Sequence, residues 1–197
     1  MITKEVIAIL SKRAVVSIGE LATSLNHDRR KIRKILHYLY KKGIVRRVLK
    51  GYYTVRIDPF VVATNIYTPS YLTGISSLVA HGVSEQIPNY HIIVVPPKVK
   101  PKTLAIGGET FRLLTIPKKF FFGYYCRESP YDEGFYYFIA KPEKAILDMV
   151  YLRIPINPLT LHIDRLDLTT LFSYLRKYPY WVEDSIIGEL GRKLSRI

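Results

Sequence analysis

The 197 residues suffice for one large domain or two small ones, and a balance of 48% hydrophobic to 23% charged residues excludes a disordered chain. No apolar run reaches the ~18–20 residues of a membrane-spanning helix, and the single cysteine, Cys126, excludes an internal disulfide. The net charge of +14 is lopsided: residues 1–56 hold 14 Lys and Arg against 3 Asp and Glu, so +11 of it sits there, pointing to a polyanionic partner, nucleic acid ahead of an anionic membrane surface.

Ile2, Val6, Ile9 and Leu10 recur at helical spacing and predict a first helix ending near Ser11–Arg13. Ser17 with Glu20 three residues on has the form of a capping box, and Ile18, Leu21, Ala22 and Leu25 give the second helix its apolar face. Asp28 caps a third helix over about Arg29 to Lys42, stopped by Gly43. There the period changes: residues 44–48, a Leu49-Lys50-Gly51 turn and residues 52–55 read as a hairpin. Three helices and a basic hairpin are the parts of a winged helix-turn-helix, placed at residues 1–56.

A boundary falls near Ile57-Asp58-Pro59. Beyond it the sequence predicts helices over Pro59–Ile66 and Tyr71–His81, a buried strand over His91–Val95 and a basic loop over Lys98–Lys102. Further strands are expected over Phe111–Ile116, Phe120–Tyr125 and Gly134–Ile139. Helices are expected from Pro142 to Leu152, from Asp167 to about Lys177, and over Val182–Ser195. The fold class is therefore α+β: a winged helix-turn-helix followed by a mixed α+β domain over residues 57–197.

In the third helix Ile32, Ile35, Leu36 and Leu39 share one face, whereas Arg30, Lys34, His37 and Lys41 project opposite and Arg29, Lys31 and Arg33 flank them. In helix-turn-helix proteins this helix enters the major groove with its N-terminal residues at the base edges. Arginine suits guanine by donating two bonds to O6 and N7, and lysine suits phosphate as a mobile charge. The hairpin adds Arg46, Arg47 and Lys50 with Tyr52 beside them, so these eleven residues form the expected DNA-binding set. The bland alternative is a solvated basic face.

Enzymatic chemistry has little support. The five histidines, His27, His37, His81, His91 and His162, are scattered without zinc-ligand spacing. Gly107-Gly108-Glu109-Thr110 lacks the Gly-Lys-Ser/Thr end of a phosphate loop. Asp132, Glu133 and Glu143 with Lys144 invite a metal-dependent nuclease, but adjacent residues on a helix diverge by about 100°. Capping and an i,i+4 pair of Lys144 with Asp148, worth a few tenths of a kcal/mol if exposed, explain that segment. Cys126 has no motif partner and is expected to pack inside or partly inside. No catalytic residue, cofactor or metal is expected. With no basic stretch leading into a long apolar one at the start, no signal peptide is expected either, and the location is expected to be cytoplasmic.

Two segments resemble the AbiEi-type antitoxins. Residues 70–83, Ser-Tyr-Leu-Thr-Gly-Ile-Ser-Ser-Leu-Val-Ala-His-Gly-Val, resemble the helix opening that family's C-terminal domain. Residues 138–148, Phe-Ile-Ala-Lys-Pro-Glu-Lys-Ala-Ile-Leu-Asp, resemble its strand-to-helix segment. With the winged helix in front, the resemblance covers roughly residues 1–155. It implies an antitoxin that represses its own operon by binding promoter repeats in double-stranded DNA. It further implies that the antitoxin counters a nucleotidyltransferase-like toxin without needing to bind it stably. Two other readings stay open: a winged-helix regulator whose second domain senses a ligand or contacts proteins, and a DNA-processing enzyme with a winged-helix targeting module.

Overall fold

The structure is a computed structural model, and it describes residues 2–194. The N-terminal unit runs α1 (Ile2–Ser11), β1 (Val16–Ser17), α2 (Ile18–Ser24), α3 (Arg29–Lys41), β2 (Arg46–Leu49) and β3 (Tyr52–Thr54). Its strands form an antiparallel sheet in the order β1-β3-β2. The capping box forms as the sequence implies: Glu20 N–H donates to Ser17 Oγ at 3.1 Å, and Ser17 N–H donates to Glu20. Asp28 Oδ1 accepts from Arg30 N–H at 3.0 Å and starts α3. Gly43 stops α3 with φ +69°, a left-handed conformation that glycine adopts without Cβ strain. Val6, Leu10, Leu21, Ile32, Leu36 and Leu39 close a separate core.

The rest of the chain runs α4 (Pro59–Asn65), β4 (Tyr71–Thr73), α5 (Ile75–Ala80), β5 (His91–Val95), β6 (Lys102–Ile106), β7 (Glu109–Thr115), β8 (Tyr124–Glu128), β9 (Tyr136–Ala140), α6 (Pro142–Tyr151), α7 (Leu168–Leu175) and α8 (Tyr180–Leu194). Six strands form one mixed sheet in the order β6-β7-β5-β4-β9-β8. The β4–β9 and β5–β7 pairs are parallel, and the other pairs antiparallel. Leu113, Ile93, Leu72 and Ile139 lie in register across four strands and point to one face. Helix α4 covers that face, joined by Val15, Val48, Leu49 and Tyr52 of the N-terminal unit. On the other face Tyr71, Val94 and Ala140 pack under α5, α6, α7 and α8. The molecule is thus a mixed α+β protein, with the back of the basic hairpin resting on the second sheet.

The structure departs from several expectations. Tyr71–Thr73 is a central strand and not the start of a helix, because Gly74 at φ +71° breaks the chain before α5 begins. The basic loop expected over Lys98–Lys102 runs as far as Pro101, and residues 102–106 then form an edge strand that the sequence pattern left unassigned, its register set by the Gly107-Gly108 turn. The strand placed over Phe120–Tyr125 starts at Tyr124, because residues 118–120 are a 3-10 turn that buries Phe120. Cys126 is exposed, since it lies on the edge strand β8. The last helix begins two residues before the expected Val182, and Ser195 lies outside the described residues.

The junction near Ile57-Asp58-Pro59 is pinned. Asp132 Oδ2 accepts from the N–H groups of Ile57 and Asp58 at 2.8 and 2.7 Å. Asp58 caps α4 through Phe60 N–H at 2.8 Å and accepts from Ser129 Oγ at 2.6 Å. Arg56 reaches back to α1, donating from Nη2 to Ser11 O at 2.5 Å and to Leu10 O at 3.4 Å. Its guanidinium lies 3.7 Å from the centre of the Phe135 ring. Among the described residues no helix is long and apolar enough to cross a membrane.

Candidate nucleic-acid interface

Helix α3 buries Ile32, Leu36 and Leu39 and leaves Arg29, Arg30, Lys31, Arg33, Lys34, His37 and Lys41 exposed. The two faces follow from the 3.6-residue period, since apolar residues three and four apart stack on one side. Strand alternation divides the hairpin in the same way. Tyr53 turns toward the N-terminal core and Tyr52 away from it.

A cleft of about 660 Å³ opens between α3 and the hairpin. Arg33, Lys34 and His37 line it from α3, Arg47 and Lys50 from the hairpin, and Ile18, Gly51 and Tyr53 form its floor. Gly51 O also accepts from Ile18 N–H at 2.9 Å, tying the hairpin turn to the start of α2. Like charges concentrated along one cleft raise the local potential for a phosphate chain. Five of the eleven expected residues thus converge. Arg30 and Lys31 are exposed at the N-terminal end of α3 outside the cleft, and Lys41 is exposed at its far end. Arg29 leans toward α2, its Nη2 3.6 Å from where a Cβ on Gly19 would stand.

Two hairpin residues face elsewhere. Tyr52 is partly buried against the second domain, its ring 6.4 Å from that of Tyr67, so it is not on the cleft surface. Arg46 is exposed but lines a different cleft, between the hairpin and the β6–β7 turn, and Arg47 borders both clefts. Ile18 and Tyr53 line the cleft without belonging to the expected set, and the alternation of Tyr52 and Tyr53 is the sequence signal that separates the two tyrosines.

Of the carboxylates that invite a metal, Glu133 is exposed, and Asp132 and Glu143 serve separate backbone segments. Asp132 binds the junction, and Glu143 accepts from Asp167 N–H at 2.9 Å. Among the described residues no group of three or more His, Cys, Asp or Glu is gathered as a metal would need.

Lys144 and Asp148 form the expected i,i+4 pair, and both are fully buried. Asp148 Oδ1 is hydrogen-bonded to Lys144 Nζ and accepts from Tyr178 OH at 2.9 Å. Its Oδ2 accepts from Tyr71 OH at 3.1 Å and Thr73 Oγ1 at 3.0 Å. Lys144 Nζ also donates to Tyr178 OH at 2.7 Å and lies 5.2 to 5.4 Å from the rings of Tyr71, Phe122 and Tyr178. Burial holds the Lys144 ammonium below its ordinary range. Burial, aided by the Asp148 charge, pushes the Tyr71 and Tyr178 hydroxyls well above theirs. Buried as it is, this cluster is a clamp joining β4, α6 and the approach to α8.

No protein-family model matches the chain, and no curated protein matches it. Among solved structures, the crystal structure of the Rv2827c protein from Mycobacterium tuberculosis is similar, with 15% identity and a TM-score of 0.55. The match covers 92% of this chain and 73% of that one. At that identity the likeness is one of fold alone, and it agrees with a mixed α+β architecture.

Proposed function

We propose that the chain is a DNA-binding transcriptional regulator that reads duplex DNA with α3 and its basic hairpin. The observation that carries the proposal is the convergence of Arg33, Lys34, His37, Arg47 and Lys50 on one open cleft. In this reading α3 enters the major groove, Arg30 at its N-terminus reaches base edges, and Arg33, Lys34, Arg47 and Lys50 meet phosphates. The residues resembling AbiEi-type antitoxins extend the proposal to a repressor of its own operon that counters a nucleotidyltransferase-like toxin without a stable complex. The layered domain behind the hairpin is then the effector part.

Footprinting on the DNA upstream of the gene tests the DNA reading. The full chain should protect repeated sites, and the double variant Arg30→Ala/Lys34→Ala should lose that protection while keeping its thermal unfolding profile. Protection by the double variant equal to that of the parent chain would overturn it. Coexpression with a neighbouring nucleotidyltransferase-like reading frame tests the antitoxin extension, which requires that growth arrest be relieved.

A further inference from the structure

The second cleft, between the hairpin and the β6–β7 turn, has a volume of about 200 Å³. Arg46 and Arg47 border it from β2, Arg56 from the junction, and Tyr40, Val62 and Ile106 supply apolar or aromatic wall. No carboxylate lines it among the described residues. The Asp132 carboxylate comes only to 4.0 Å from Arg56 Nη1. Arg56 is largely buried, and its Nε is a buried side-chain donor without an acceptor among the described residues. An unpaired buried donor is costly to keep; with Nη2 taken by the Ser11 and Leu10 carbonyls, Arg56 offers an oxyanion its charge and a single bond, and Arg46 and Arg47 supply the free guanidinium forks.

We infer that this interdomain cleft binds a small organic oxyanion, a carboxylate or phosphate on a ring-sized apolar body, held by Arg56 together with Arg46 and Arg47. Size supports the class: a 150 Å³ apolar cavity holds benzene, so about 200 Å³ takes a ring with one oxyanion. Because Arg47 borders both clefts, an anion seated here draws Arg47 away from the surface beside α3. The ligand therefore weakens DNA binding, a consequence that rests on the DNA reading above; the anion site itself does not.

The probes are phenyl phosphate and benzoate, with phenol as the uncharged ring, added at constant ionic strength to the full chain. At ten times its Kd an oxyanion should raise Tm by about 3–6 °C for a chain of this size, and phenol should not. The stronger of the two oxyanions tells phosphate from carboxylate. Ala105, exposed on the cleft wall, provides the variants: Ala105→Trp fills the space and Ala105→Glu sets a carboxylate in it. Each should fold with the parent's Tm and lose the response. No stabilisation by either oxyanion, equal stabilisation by phenol, or an undiminished response in both variants overturns the site. In anisotropy titrations phenyl phosphate should weaken DNA binding by the parent chain and leave Ala105→Trp unaffected. A chain that responds to the oxyanion but binds no DNA retains the anion site and refutes the DNA reading instead.

Discussion

The cleft beside α3 presents four basic side chains, Arg33, Lys34, Arg47 and Lys50. If each neutralises one phosphate at about 0.9 counterions released, the logarithm of the binding constant falls with the logarithm of salt at a slope of about −3.6. Raising salt from about 50 to about 200 mM then weakens binding about 150-fold. In the double variant Lys34→Ala/Lys50→Ala two contacts remain, the slope relaxes to about −1.8, and the same salt step weakens binding only about 12-fold. Fluorescence anisotropy with a labelled duplex spanning the footprint measures both slopes. Because the two lysines are exposed, thermal unfolding should not change, which separates lost contacts from lost fold. A variant slope equal to that of the parent would mean that these side chains meet no phosphate and that the cleft is not the interface.

Other consequences concern the scaffold. Asp148→Ala leaves the buried Lys144 ammonium without its carboxylate; removing one partner of a buried pair costs about 3–5 kcal/mol, so calorimetry should find Tm lower by about 6–20 °C. Stability should fall as pH rises above 10, because unfolded tyrosines release protons there while folded Tyr71 and Tyr178 keep theirs and the native state binds more protons. Lys144, held below its ordinary value, acts in the opposite sense between its lowered pKa and about 10.5, so the tyrosines dominate beyond that point. Tyr178→Phe should flatten the alkaline limb in urea titrations. Tyr52→Ala should cost roughly 2 kcal/mol, or about 4–8 °C, by opening the contact with the second domain, and should leave the salt slope unchanged.

The N-terminal unit was readable because its signals are local. A capping box, an Asp N-cap, a Gly stop and a 3.6-residue stripe each act within a few positions of one another. The second domain hid where distant partners decide. Tyr71-Leu72-Thr73 is buried on both sides of the sheet, so it shows no alternation and merges with the apolar residues of α5. β6 is an edge strand with exposed Thr103 and Ala105, and the prolines and lysines before it read as loop. Lys144 and Asp148 were correctly spaced to pair, but their burial depends on Tyr71 and Tyr178, far away in sequence. Tyr52 lies within the basic cluster in sequence, but strand alternation turns it to the face opposite Tyr53.

Leu72 in β4 pairs with Ile139 in β9, so the middle of the large sheet cannot close until synthesis has passed residue 139. The first fifty-five residues complete their own interior long before that. During translation a cationic unit therefore stands finished outside the ribosome with Val48, Leu49 and Tyr52 still uncovered. We expect stalled nascent chains ending near residue 100 to resist protease over α1–α3 while binding chaperones through that uncovered sheet back. Ready digestion of those helices at that length would contradict early autonomous folding.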